Sequence, residues 1–211
     1  RKGNMKQFKF IAIIAVLLFC GTMPTRTLAQ SAPISTDEGD KKRLAYILGV
    51  TPINQHVSAY QYHDYDCFIA SMFMALDYFG EEITYEELVP IVRGNDKNGL
   101  SADPHFVFDV TEGRLLAIGK FTTQLASVIE KELKENRPVV VAIRNMSLLA
   151  ENWESKNGHA VIVYGIYNGH IFYIDPFNGE RYTMSTQSFI DASSYPHGSF
   201  AVTFEKLNFT Q

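Results

Sequence analysis

Two cysteines among 211 residues are too few for a disulfide framework. They stand far apart, Cys20 near the start and Cys67 in the interior. The same shortage excludes a four-cysteine zinc site. His-x-x-x-His spacing is absent among the six histidines, so no metal centre is expected. Nothing in the chain asks for another cofactor. An excess of positive charge is also missing: 19 basic residues face 23 acidic ones, which argues against a nucleic-acid partner. No apolar run approaches the roughly 18 residues of a membrane span. Tryptophan occurs once, at Trp153. What is present is globular in character: 46% hydrophobic, 20% charged and 13% aromatic, in a length that suits one domain.

The N-terminal segment is set apart. Lys6 and Lys9 precede the apolar stretch Phe10 to Phe19, and Thr27-Leu28-Ala29 offers a small-residue cleavage pattern. Residues 1–29 therefore read as a secretory signal peptide, which predicts an exported, periplasmic or secreted, protein. A lipid anchor through Cys20 is disfavoured by the bulky Phe19 before it. No membrane span is expected once the leader has gone. Losing residues 1–29 removes five basic and no acidic residues, which leaves 14 against 23, a net charge of −9. It also leaves Cys67 as a lone thiol, which in an exported protein is either buried or used.

Residues 30–55 read as a polar lead-in, with a short helix or small pro-segment over Lys41 to Val50. The body is expected over 56–211. Cys67 to Phe79 is apolar nearly all round, the signature of a central buried helix. Asp64 or Asp66 can cap its start and Gly80 its end. Thr84-Tyr85-Glu86-Glu87 is a capping box for a second helix, stopped at Gly94. Asp103-Pro104 marks a short helix start, and Thr122 to Glu135 has helical spacing. Asn95 to Phe121 otherwise shows no clear pattern. Pro138 to Ile143 reads as a strand buried on both faces, followed by a long loop, Arg144 to Gly158. His159 to Gly165 and His170 to Ile174 flank Asn168-Gly169, a strong hairpin signal. Tyr182 to Met184, a helix over Thr186 to Ile190 capped by Ser185, and a strand over Ser199 to Phe204 complete an α+β layout.

Four residues carry candidate chemistry. Cys67 opens a helix, where the macrodipole favours a thiolate. His159 opens a strand after a glycine, Asp175 closes the next strand, and Gln61 lies six residues before the cysteine. Acyl transfer through a thioester uses such a set. The thiolate attacks a carbonyl, the imidazole moves the proton, and the carboxylate orients the imidazole. The glutamine amide and the cysteine N–H would then hold the oxyanion. Singly, each has a bland reading: a structural histidine, a turn-capping aspartate, an inert buried cysteine.

Together, Gln61, Asp66-Cys67, Ala70-Ser71, Leu76-Asp77-Tyr78-Phe79-Gly80, Gly158-His159-Ala160-Val161 and Ile174-Asp175-Pro176 resemble the papain-like cysteine peptidases. The text is closest to the stand-alone relatives of the bacteriocin-leader-processing (double-glycine) peptidases. The resemblance spans about Gln61 to Phe204. It implies a papain-like fold, with the cysteine helix packed on an antiparallel sheet that carries His159 and Asp175. It also implies a peptide or protein substrate, with Cys67 as nucleophile, His159 as general base and acid, Asp175 as orienter and Gln61 as oxyanion donor. The family commonly has glycine after the cysteine. Here Phe68 stands there, so a substrate contact is expected beside the nucleophile. Trp153, in the long loop, and Gly158 are further candidate substrate contacts. An acyltransferase or transpeptidase using the same site, and a non-catalytic binding module on this fold, remain as alternatives.

One expectation is purely geometric. A regular two-residue hairpin loop at Asn168-Gly169 would place Ile162 opposite Asp175. Asp175 and His159 would then point to opposite faces, because side chains alternate along a strand. A triad therefore requires an odd loop or a bulge, at Gly165 or Gly169.

Overall fold

The computed structural model describes residues 45–57, 63–94, 103–148 and 158–207, with five helices and eight strands among them. Its centre is helix α1 (Cys67–Phe79). Phe68, Ile69, Ala70, Met72, Met74, Ala75, Leu76 and Phe79 are buried, so nearly every face of this helix meets core. Burying one such large apolar side chain stabilises by roughly 1.5–3 kcal/mol, so α1 is a main source of folding energy. The helix stops where Gly80 turns left-handed (φ 85°) and its N–H meets the carbonyls of Leu76 and Asp77.

Helix α2 (Tyr85–Arg93) begins with the expected capping box: Thr84 Oγ1 accepts from Glu87 N–H, and the Glu87 carboxylate accepts from Thr84 N–H. A short helix α3 (Phe106–Val110) starts two residues after Pro104. Helix α4 (Leu125–Lys134) and helix α5 (Thr186–Ser193) fall where the periodicity puts them, and Ser185 caps α5 by accepting from Ser188 N–H.

The strands form one antiparallel sheet. They are β1 (Tyr46–Ile47), β2 (Leu115–Thr122), β3 (Val139–Ile143), β4 (His159–Tyr167), β5 (His170–Asp175), β6 (Glu180–Ser185), β7 (Ser194–Tyr195) and β8 (Gly198–Lys206). The order is β2-β8-β3-β4-β5-β6, with β1 beside β4 and β7 beside β8. Every residue from His159 to Gly165 is buried, so β4 is covered on both faces. Helix α1 packs on β3 and β4, as does α4, which also touches α5. The architecture is the expected α+β, papain-like one, with the cysteine helix laid on an antiparallel sheet.

Three findings depart from the sequence reading. Tyr46–Ile47 is a strand and not part of a helix: it pairs with Ile166 and Gly165, and Leu48 N–H bonds Tyr164 O at 2.8 Å. Backbone pairing offered by the end of β4, beyond the reach of β3, outweighs a weak local helical preference. Leu48 and Val50 are core residues, so the body begins before residue 56. The third departure is β2, which showed no clear pattern in the sequence. Its inward residues Leu115 and Ala117 alternate for only two periods before Gly119-Lys120 breaks the rhythm.

The hairpin of β4 and β5 is not regular. Tyr167 pairs with His170 as a two-residue loop demands, but the register slips between Val163 and Gly165, so Ile162 faces Ile174. Tyr164 is the extra residue of a β-bulge. Gly165 suits the spot: a Cβ there would stand 3.2 Å from Phe172 Cβ and 3.2 Å from Tyr46 O.

Candidate active site

The bulge has a direct effect on side-chain direction. With Ile162 opposite Ile174, Asp175 falls opposite Val161, which shares a face with His159. His159 Nε2 and Asp175 Oδ1 are 2.7 Å apart, and both side chains are buried. The same Asp175 oxygen accepts from Phe177 N–H at 2.9 Å, a turn that fixes the carboxylate. Across from them stands Cys67, the first residue of α1, half-buried and a free thiol.

The electrostatics tie these three together. Burial alone would lower the His159 pKa, since a charged imidazole loses water. Hydrogen bonds to Asp175 and to Cys67, with the negative charge of both, outweigh that loss, and the pKa is pushed up to about 9. With Nε2 committed to Asp175, Nδ1 is the nitrogen left for the thiol. Two tyrosines flank Cys67 and stay neutral phenols. Tyr85 of α2 is raised by burial, then by the charges of Cys67 and Glu86. Tyr195 of β7 is raised by burial, lowered in part by Arg144 and raised again by Cys67.

Local structure holds the thiol against the histidine strand. Ser71, one turn after Cys67, is fully buried and donates its hydroxyl to Ala160 O at 3.2 Å. That bond pins α1 to the residue that follows His159. Asp66 occupies the N-cap position, and its carbonyl accepts from Ala70 N–H at 2.8 Å. Its side chain does not cap, contrary to expectation. The carboxylate is buried and pairs instead with the Arg93 guanidinium of α2. A charge taken out of water needs a partner charge more than it needs one amide. Asp64 is exposed, and its Oδ1 lies 3.1 Å from His56 Nε2, while His56 Nδ1 lies 2.9 Å from Phe177 O. The segment before α1 and the turn after Asp175 are thus linked.

Of the residues singled out from sequence, Cys67, His159 and Asp175 meet in space. Gln61 and Trp153 lie outside the described residues. Gly158 is exposed beside Tyr195, whose hydroxyl would be 3.4 Å from an added Cβ. Phe68, expected beside a substrate, points into the core and keeps 6% of its surface exposed. Helical geometry accounts for this: the residue after Cys67 sits about 100° round the axis, towards the packed side. Sequence reasoning missed Ser71 and Arg93. Arg93 at a helix end gives no local sign of burial, and the buried helix that holds Ser71 gives no sign of its bond to Ala160.

One crystal structure shares this fold, and two others are similar to it at lower TM-scores. A protein described as a C39-like peptidase from Bacillus anthracis is 18% identical, with 78% of this chain and 98% of that chain covered at a TM-score of 0.56. The peptidase domain of Streptococcus ComA, a bifunctional ABC transporter of a quorum-sensing pathway, is 13% identical, over 75% of this chain and 99% of that one, at 0.49. A double-glycine motif protease from an AMS/PCAT transporter, solved with its leader peptide, is 17% identical, over 67% and 84%, at 0.43. No curated protein matches the chain. The Peptidase_C39-like family model matches residues 47–200, most of the chain, so the protein belongs to the C39-like peptidase family.

Proposed function

We propose that this protein is an exported cysteine peptidase that cleaves peptide bonds through a thioester on Cys67. The observation that carries the proposal is His159, hydrogen-bonded to Asp175 at 2.7 Å and to the Cys67 thiol on its other side. Cys67 as thiolate attacks the scissile carbonyl carbon. The oxyanion that forms is held by the Cys67 backbone N–H, with Gln61 as second donor. His159, as imidazolium, gives its proton to the leaving amine, and the C–N bond breaks. Water then attacks the thioester, with neutral His159 taking its proton, and the thiolate returns. Asp175 keeps the ring oriented throughout and favours its charged form. Export rests on the leader reading of residues 1–29.

Digestion of a peptide library by the parent and by Cys67→Ala, read by mass spectrometry, tests this proposal. Cleavage by the parent alone, with an acyl adduct on Cys67 in quenched samples, is the expected result. Transfer of the acyl group to an added amine in preference to water would make the protein a transferase. Neither cleavage nor adduct would leave a binding module on this fold.

A further inference from the structure

Asp66 is the residue immediately before Cys67, and its side chain is wholly buried, as is that of Arg93, the last residue of α2. Among the described residues, the second carboxylate oxygen of Asp66, Oδ2, accepts no hydrogen bond. A buried carboxylate at this place is costly twice over. It loses its hydration, and it stands next to a thiol whose proposed chemistry requires a second negative charge.

We propose that the Asp66–Arg93 pair is a positioning element for the nucleophile: it fastens the first turn of α1 to the last turn of α2, and Arg93 cancels a carboxylate charge that would oppose the Cys67 thiolate. Neither residue touches substrate. Their effect is exerted through Cys67, beside which the described residues place His159 of β4, Asp175 behind it on β5, Tyr85 of α2, and Tyr195 of β7 with Arg144 against its ring. Among the described residues, His159 hydrogen-bonds the thiol and brings its positive charge to it. Without Arg93, Asp66 would add a buried carboxylate charge to those of Asp175 and the thiolate.

The inference rests on Cys67 being the nucleophile, but its test needs no substrate. A protein that cleaves no peptide and a pair that does not tune the thiol are therefore separate outcomes. The test follows Cys67 alkylation by iodoacetamide against pH in the parent, Arg93→Gln, Asp66→Asn and the double variant, with thermal melts alongside. Arg93→Gln strands the carboxylate and is expected to move the alkylation midpoint up by about one pH unit. Asp66→Asn removes the carboxylate charge while Arg93 keeps its own, and is expected to move it down by a similar amount. The double variant should return to the parent profile, even though its melt is altered. A merely structural pair would lower the melts and leave the profile in place. That result overturns the proposal, as would shifts of the same sign in both single variants. If one single variant fails to fold, the sign of the other decides. Loss of fold in both also overturns it, since the pair would then be a folding element alone.

Discussion

His159 and Asp175 stand 2.7 Å apart because one residue, Tyr164, is squeezed out of the strand between them. Without the bulge the hairpin would turn the carboxylate to the opposite face of the sheet. Asp175→Ala is therefore expected to lower kcat/KM by about 10²–10⁴-fold, the range typical for losing the orienting group or the base. Deleting Tyr164, by contrast, removes the extra residue but keeps Val161 opposite Asp175 in a regular ladder, so the pair is expected to survive. Parallel kinetics on both variants, with circular dichroism to follow the fold, check this. A Tyr164 deletion that folded but lost kcat/KM as Asp175→Ala does would show that strand register alone does not align the pair.

The raised pKa of His159 sets a pH window. Its proton is held more tightly in the folded state, about 9 against an ordinary 6.5. The stabilisation is thus complete below about 6.5 and is lost as the pH rises through about 9. Unfolding free energy measured by urea titration should decline across that interval, and His159→Gln should flatten the decline. The alkaline limb of kcat/KM should fall near pH 9 as well, when the imidazolium needed for the leaving amine disappears.

Ser71→Ala removes a buried hydroxyl and its hydrogen bond to Ala160 O. The expected cost is about 1–3 kcal/mol. A chain of this size loses roughly 2–4 °C of melting temperature per kcal/mol. Because the bond ties α1 beside His159, kcat should fall more than KM changes. A melt lowered with kcat intact would assign Ser71 to stability alone.

Gly198 opens β8 at φ 102°, and a Cβ there would lie 2.5 Å from Thr122 O. Gly198→Ala is expected to cost about 1–3 kcal/mol from backbone strain, with more from the clash. Scanning calorimetry reads this directly. An unchanged melting temperature would mean that the β2 end yields freely.

The parts of this molecule written in local pattern were readable in the sequence. Helix α1 declared itself by a run of apolar residues too long for a strand and closed by Gly80, and α2 by the Thr84–Glu87 box. The need for a bulge was readable too, because a two-residue loop at Asn168-Gly169 and a His159–Asp175 contact cannot both hold in a flat hairpin. Pairings between distant segments left no such trace. Nothing in Tyr46–Ile47 announces that Gly165 and Ile166 will offer it a backbone edge, and β2 alternates too briefly to be recognised. Arg93 is the clearest case. An arginine in the last turn of a helix reads as a solvated, dipole-matched surface charge, and only the fold turns it inward to Asp66.

The place of β1 sets a limit on N-terminal maturation. Its two residues occupy the edge of β4 at Gly165 and Ile166, directly beside the bulge, and Leu48 N–H holds Tyr164 O at 2.8 Å. A processing cut upstream of Ala45 leaves this brace whole. A cut a few residues further on would bare backbone groups of the strand that presents His159 and free the one residue on which the alignment of His159 with Asp175 depends. Trimming by a few residues would thus separate a matured protein from one with a loosened site, and the boundary lies in β1, outside the three site residues themselves.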